Sequence, residues 1–405
     1  MTGGPQELRT VYFRFIMCPM EGKLLNITVP CHFGIEAVLK REIVALGYEI
    51  KKVSDGRVTF SGDERAVVLS NIHLRTAERV YIEVGSFTAL TFDEFFEGIK
   101  ALPWEDYIKK NGRFWVTKAS SVDSKLFSPR DIQSLAKKAM AVRLGQKYGL
   151  DWLPEDGEDY PVRIFLNKDN VSVYLDTTGP SLHKRGYRLS GVKAPIEETL
   201  AAALIMLTPW HADRILVDPF CGSGTIPIEA ALIAMNIAPG LSRSFTAEKW
   251  DNLFPKALWK EERKEARSNI RFDVQTDIQG YDISDEAVKT ARENADRAGV
   301  LDIIHFQRRE VRDLRHPKKY GFIITNPPYG ERLSKGDDEG LKMLYRSLGE
   351  SYRRLSDWSL FFITSYPDAQ ECIGKKADKN RKIKNGDLTT YLYEYMGAKP
   401  PRSKN

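Results

Sequence analysis

Two grains of hydrophobic patterning divide this chain. In its first half, "LLNITV" (24–29) alternates apolar and polar residues as a strand does. "GIEAVLKREIVALG" follows and carries Ile35, Val38, Leu39 and Leu46 on or near one face of a helix that Gly47 stops. "RVTFSG" (57–62) returns to a short strand. "LFSPRDIQSLAKKAM" (126–140) has a well-marked helix start, with Ser128 as N-cap, Pro129 at the first helical position and Asp131 at the capping-box position. Ile132, Leu135, Ala136, Ala139 and Met140 then recur at helical spacing as its buried stripe, which leaves Arg130, Ser134 and Lys137 on the other side. After the acidic turn-rich "DWLPEDGEDYP" (151–161), "VRIFLNKDNVSVYLD" alternates through a hairpin placed at Asp169 and Asn170. Together these predict a small α+β region.

"SLHKRGYRLSGVKAP" (181–195), with two glycines, a proline and few core candidates, reads as a linker, and beyond it the grain changes. "RILVD", "DIQGYDI", "IIHFQ", "GFIIT" and "LFFIT" are short, uniformly apolar strands, and "IEETLAAALIML", "TIPIEAALIAM" and "DEAVKTARENADRAG" are helices set among them. Such alternation predicts a doubly wound, mostly parallel sheet with ligands beyond the carboxyl ends of its strands. "RKIKNGDLTTYLYEYMG" adds a hairpin through Asn385 and Gly386.

A length of 405 residues implies two or three domains, and a composition 42% hydrophobic and 29% charged is that of a globular protein. The 61 Lys and Arg, with a net charge of +6, suit a partner that carries phosphates, although many enzymes are mildly basic. Four scattered cysteines without a CxxC pair fit reduced thiols in the cytoplasm, and no apolar run reaches the roughly 20 residues of a membrane helix. Met20 precedes the first strand pattern, so residues 1–19 are set apart as an extension. The six histidines show no metal spacing, and no metal is expected.

The candidate chemistry lies in the second half. "DPFCGSGT" puts Asp218 at a strand end and a Gly222-Ser223-Gly224 turn before a helix. Pro227 stands where a dinucleotide fingerprint has its third glycine, and no Walker lysine follows. An acid there suits a ligand with a cationic amine better than a pyrophosphate; a ligand-free tight turn is the plain alternative. Asp282 closes the next strand in "GYDIS", where a carboxylate can accept both hydroxyls of a ribose, and Ser284 is the better N-cap of the following helix. In "FIITNPPYGERL" (322–333) an apolar strand ends in Asn326, Pro327, Pro328 and Tyr329. The amide oxygen and a prolyl carbonyl can hold the two hydrogens of an NH2 group, and the tyrosine offers a ring for stacking. Two acceptors can draw a delocalised exocyclic nitrogen toward tetrahedral geometry and orient it for attack.

"DPFCGSGT", "GYDIS" and "NPPYGERL" resemble the S-adenosylmethionine-dependent amino-methyltransferases. "LHKRGYR", "APIEETLAAAL" and "EAALIAMNIAPG" extend the resemblance over most of the chain to the THUMP-domain methyltransferases, particularly the bacterial 23S rRNA guanine-N2 enzymes, also described as N6-adenine-specific DNA methylases. The resemblance implies an N-terminal α+β ferredoxin-like part (20–62), a THUMP domain (63–180), the linker (181–194) and a Rossmann-like doubly wound methyltransferase domain (195–397). It implies S-adenosylmethionine as cofactor, held near Asp218, Pro219, Phe220, Gly222, Gly224 and Thr225, with Asp282 and Ile283 at the ribose and Asn326 to Tyr329 at the target amine. The adenine-facing acid of the family falls on Glu310, less well on Asp313. Lys125, Ser128, Arg130, Lys137, Arg185 and Arg188 are the residues it assigns to RNA, with 23S rRNA as the expected partner. A helix N-terminus with exposed bases fits phosphate, though Arg130 and Lys137 also fit an ordinary solvated face. The chain stops at "PPRSKN" without a second methyltransferase domain, so one modification is expected. Adenine-N6 methylation of nucleic acid, methylation of a protein glutamine amide and non-catalytic RNA binding are the competing functions.

Overall fold

A computed structural model describes residues 24–188, 196–329, 338–386 and 388–401. The extension proposed for residues 1–19 falls outside them, as does "GERL" at 330–333. No helix among the described residues is long and apolar enough to cross a membrane.

The first sheet contains β1 (Leu25–Pro30), β2 (Ile50–Ser54), β3 (Arg57–Gly62), β4 (Tyr81–Thr88), β5 (Arg113–Val122), β6 (Asp159–Asn167) and β7 (Asn170–Asp176), in the order β2-β3-β1-β4-β7-β6-β5. All neighbours are antiparallel except β5 and β6. Its helices are α1 (Glu36–Ala45), α2 (Glu64–His73), α3 (Phe92–Ala101) and α4 (Pro129–Tyr148). Since β4 pairs with β1 on one side and β7 on the other, the ferredoxin-like and THUMP parts share one sheet rather than standing as separate bodies. Ser128 caps α4 as its position predicts, its Oγ accepting from the Asp131 N–H at 3.4 Å. The β6–β7 hairpin pairs Asn167 with Asn170, so its turn is Lys168-Asp169, one residue earlier than the sequence suggested. Both turn residues have positive φ (51° and 62°), the geometry a two-residue hairpin needs. The second predicted hairpin likewise pairs Asn385 with Leu388, moving its turn by one.

The second sheet orders its strands β10-β9-β8-β11-β12-β14-β13. These are β8 (Leu216–Asp218), β9 (Ile278–Asp282), β10 (Ile304–Arg308), β11 (Phe322–Thr325), β12 (Ser359–Thr364), β13 (Lys379–Asn385) and β14 (Leu388–Tyr395). The first five in that order are parallel, and β14 and β13 close the edge antiparallel. Helices α5 (Glu198–Leu207), α6 (Thr225–Ala234), α7 (Lys256–Ser268), α8 (Asp285–Arg297), α9 (Asp338–Arg354) and α10 (Ala369–Ile373) complete it. Every residue of β11 and β12 is buried, which explains their unbroken apolar sequences. Strand order reverses between β8 and β11, and a crevice opens beyond the carboxyl ends at such a switch point.

The two sheets share a continuous apolar core running from Ile27 to Leu392. Polar ties cross the junction as well. Arg75 donates to the Ile237 carbonyl (2.8 Å), Gly240 N to Ile72 O (2.9 Å), Trp250 Nε1 to Asp159 O (2.8 Å) and Lys384 N to Phe33 O (3.1 Å). Gly34 (φ +98°) lets backbone meet backbone there, because a Cβ would collide with the Lys382 carbonyl oxygen. The expected linker is part of this junction: Leu182 and Tyr187 are buried, and the Tyr187 hydroxyl donates to Glu229 at 3.0 Å. Residues 189–195 of it lie outside the described chain.

Candidate active site

The loop after β8 is shaped by its glycines. Gly222 and Gly224 have φ of +52° and +82°, and a Cβ on Gly224 would press on Ala291 and the Phe306 ring at 3.0–3.1 Å. Asp218, 2% exposed, accepts at Oδ1 from the Phe220 N–H (3.1 Å) and the Thr325 hydroxyl (2.5 Å). Burial pushes its carboxyl up to about 7, against the lowering effect of those two bonds, and the Asp282 carboxylate adds to the rise. Thr325 is the last residue of β11, so this bond fastens the glycine loop to the strand that presents Asn326.

Asp282, at the end of β9, accepts from Gly222 N through Oδ2 and from Ser284 N through Oδ1, both at 3.0 Å. Ser284 takes the N-cap of α8, its Oγ accepting from Ala287 N at 3.3 Å, as the sequence indicated. A carboxylate has about four acceptor positions, so two remain for a ligand. Ile283 beside it is 59% exposed. Glu310 lies two residues past β10 and pairs with Arg312, whereas Asp313 stands farther along and exposed.

Asn326 is 8% exposed, and its Oδ1 is buried without a hydrogen-bond partner. A carbonyl oxygen left bare costs about 1–3 kcal/mol, which makes it unusual unless something else occupies that place during function. Pro327 is buried; the Pro328 carbonyl accepts from the Tyr345 hydroxyl at 3.3 Å, which leaves the Pro327 carbonyl as the second candidate acceptor. Tyr329, expected to offer an open face, is instead 6% exposed and packed in the apolar cluster that includes Leu341, Tyr345 and Tyr366.

The residues assigned to RNA separate into two groups. Lys125 and Arg130 are exposed on either side of the Ser128 cap. Lys137 is engaged with Glu155 at 2.8 Å and lies 5.2 Å from the Phe114 ring centroid. Arg185 and Arg188 are engaged within the protein. Arg185 is 4% exposed and donates to Leu182 O (2.6 Å) and Arg75 O (2.5 Å), with Glu229 at 3.6 Å. Arg188 donates to Ile196 O (2.7 Å) and Thr225 Oγ1 (3.2 Å) and pairs with Glu198 at 3.1 Å. Both guanidiniums brace the junction behind the glycine loop, Arg185 as a buried cation that must be paired where it sits and Arg188 as a half-buried one. Sequence reading missed Phe127, 79% exposed between Lys125 and Arg130; its only signal is that the neighbouring Leu126 takes the core position. It also missed that His32, Glu78 and Glu197, far apart in sequence, place ligand atoms within 4.8 Å of one another.

Three family models cover this chain. An RlmL ferredoxin-like domain matches residues 26–81, a THUMP domain 89–176, and an RMKL-like methyltransferase domain of the UPF0020 family 185–394. The chain is 45% identical over 387 residues, 95% of its length and 99% of the relative's, to "Putative RNA methyltransferase YpsC" of Bacillus subtilis (strain 168). It superposes with a TM-score of 0.88 on SMU.472, a "putative methyltransferase" crystallised with SAH, at 42% identity over 94% of this chain and all of that one. A predicted N6-adenine-specific DNA methylase from Listeria monocytogenes str. 4b F2365 matches with a TM-score of 0.87, at 45% identity over 93% of this chain and 97% of that one.

Proposed function

Because this chain belongs to the THUMP-containing family with an RMKL-like (UPF0020) methyltransferase domain, we propose that it methylates an exocyclic amine of an RNA base, namely guanine N2 in 23S rRNA. It is an S-adenosylmethionine-dependent RNA methyltransferase; the choice of base and RNA is the proposal. The observation that carries the amine is the bare, buried Asn326 Oδ1 at the carboxyl end of β11, one residue from the bond that ties this strand to Asp218.

The residues beyond β8 and β9 fit the cofactor. Gly222 leaves the space above the turn open, Gly224 has no room for a side chain, the bonds Asp218 accepts from Phe220 and Thr325 both fall on Oδ1, and Asp282 has acceptor capacity left beside the exposed Ile283. Asp218 would take the ammonium group, Asp282 the ribose hydroxyls, and Glu310 the adenine edge. S-adenosylmethionine supplies a methyl group made electrophilic by a sulfonium. Asn326 Oδ1 and the Pro327 carbonyl accept the two amine hydrogens, localising the nitrogen lone pair and directing it along the line of attack. No strong base is needed, since the proton leaves after the nitrogen has become cationic. A flipped base is the form in which such an amine reaches the crevice. Stacking on Tyr329 requires that ring to turn out of its apolar cluster. Adenine N6 poses the same problem to the same acceptors, and the Listeria protein's name keeps it as the alternative.

Mass spectrometry of rRNA nucleosides from cells lacking the protein decides between them. One N2-methylguanosine is expected to vanish from 23S rRNA and return with the wild-type chain but not with Asn326→Ala. Loss of an N6-methyladenosine instead would move the assignment to adenine, and unchanged rRNA would remove 23S rRNA as substrate.

Lys125, Arg130 and Phe127 form the surface best suited to RNA, two cations for phosphates and an exposed ring for a base. Lys125→Glu with Arg130→Glu is expected to weaken RNA binding and to flatten its log–log salt dependence by about 1.5, at roughly 0.7–0.9 per lost phosphate contact. Unaltered affinity and slope would return these residues to an ordinary solvated face.

A further inference from the structure

The junction between the two sheets gathers four side chains that no step of methyl transfer uses. His32 follows β1, Glu78 precedes β4, His183 lies in the connecting segment, and Glu197 is the N-cap residue of α5. The His32 side chain is 8% exposed, and its Nε2 has no hydrogen-bond partner. That nitrogen nevertheless faces Glu78 Oε1 at 3.4 Å and Glu197 Oε2 at 3.3 Å. His183 Nδ1 closes the other side, 3.4 Å from Glu78 Oε2 and 3.7 Å from Glu197 Oε2.

His32 Nε2 stands 3.4 and 3.3 Å from the two carboxylate oxygens, and one ligand atom from each of the three residues lies within 4.8 Å of the others. Ligands bonded at 2.0–2.2 Å around a tetrahedral ion lie about 3.3–3.6 Å apart, because a tetrahedral edge is about 1.63 times the bond length, so a small contraction of this cluster seats an ion. The outer partners are those of a metal site too. His32 Nδ1 is 3.1 Å from the Lys384 carbonyl, which fixes the proton on Nδ1 and turns the Nε2 lone pair inward. Glu78 is oriented by the Thr199 hydroxyl (2.5 Å) on Oε1 and the Ser181 hydroxyl (3.0 Å) on Oε2. The Glu197 side chain is 38% exposed and gives an ion a way in from solvent.

We propose that His32, Glu78 and Glu197, with solvent at the fourth position, bind one Zn2+ ion that pins the RNA-binding half of the chain to its catalytic half. Mixed imidazole and carboxylate donors in a four-coordinate space suit zinc, whereas Mg2+ requires six ligands, mostly oxygen and water. The rival occupant is a proton. The two glutamates overcome the burial of His32 and raise its imidazole to about 10, so without a metal the cluster is an imidazolium held between carboxylates.

The test uses the full chain, stripped with chelator, dialysed and titrated with Zn2+ against a competing indicator dye, with Mg2+ as a control. One equivalent of Zn2+ is expected, bound at least tenfold more tightly than Mg2+, with a raised melting midpoint. Glu197→Gln, at the solvent side where the fold tolerates it, should weaken Zn2+ by about 10- to 100-fold and abolish the shift in melting, and His32→Gln should do so more completely. Absence of stoichiometric binding at micromolar Zn2+ would overturn the site and leave the ion pair. Binding that Glu197→Gln and His32→Gln leave unchanged would place the zinc elsewhere and overturn it equally.

Discussion

Asn326→Ala should lower kcat for methyl transfer by about 10²–10³-fold, the range found when one preorganised polar group is removed from a reacting centre. Cofactor affinity should hold within about threefold, since the contacts proposed for the cofactor lie on Asp218, Asp282 and the glycine turn. Stability offers a second reading of the same variant. Asn326 Oδ1 is bare and buried, so truncation removes an unsatisfied acceptor, and the loss of packing is offset by about 1–3 kcal/mol. The melting midpoint should therefore fall little or not at all while turnover collapses. Asn326→Asp, which keeps an acceptor oxygen in place, should retain more activity than the alanine variant. Single-turnover assays with saturating cofactor, read beside calorimetric melting, check all three. Turnover unchanged in Asn326→Ala would remove the amine-holding role.

Asp218→Asn should weaken S-adenosylmethionine about 10- to 100-fold above pH 7, the loss expected when a charge-assisted hydrogen bond becomes neutral. The asparagine can still accept from Thr325 and Phe220 N, so the loop should stay in place. The pH dependence follows from burial. With the folded-state carboxyl raised to about 7 from an ordinary value of 3.8, ionisation of Asp218 costs stability. That cost is absent where folded and unfolded chains are both protonated, grows as pH rises above the unfolded value, and is complete above about 7. The unliganded asparagine variant should therefore gain on the wild type between pH 4 and 7. Cofactor affinity runs in the same sense: below about 7 a cationic ligand must expel a proton from Asp218, and wild-type affinity should fall by up to tenfold per unit as pH is lowered. In Asp218→Asn that slope should vanish. Calorimetric titrations at several pH values measure it, and parallel slopes would place the ammonium elsewhere.

The parallel sheet was legible because strands buried on both faces have no choice but to be apolar, and β11 and β12 announce themselves that way. The candidate residues Asp218, Asp282 and Asn326 were legible because each sits where a strand stops and a turn demands particular chemistry. Other features were hidden by being distributed. Helix α2 has seven buried positions out of ten residues and so no clear face to read. Segment 181–188 looked like a linker since bases dominate it and core candidates are few, yet Arg185 is buried against the Arg75 carbonyl and Glu229, both remote in sequence. Tyr329 was read as an open ring because nothing local reveals Leu341, Tyr345 and Tyr366 closing on it. The His32 cluster drew on residues from 32 to 197 and had no spacing to recognise.

The unbroken core and backbone ties between the two sheets have a bearing on how one nucleotide is chosen among thousands. If RNA seats on the surface proposed around Arg130, these ties among the described residues hold it at a set distance from the crevice at Asn326, and the protein would work as a caliper. RNA seated on one jaw would then deliver to the other the base that lies one fixed span away. Choice then follows from the length and bend of the folded RNA between the two points, and sequence matters only through that shape. Lengthening the intervening stem by a single base pair would offer the crevice a different nucleotide, with every contact of the protein unchanged.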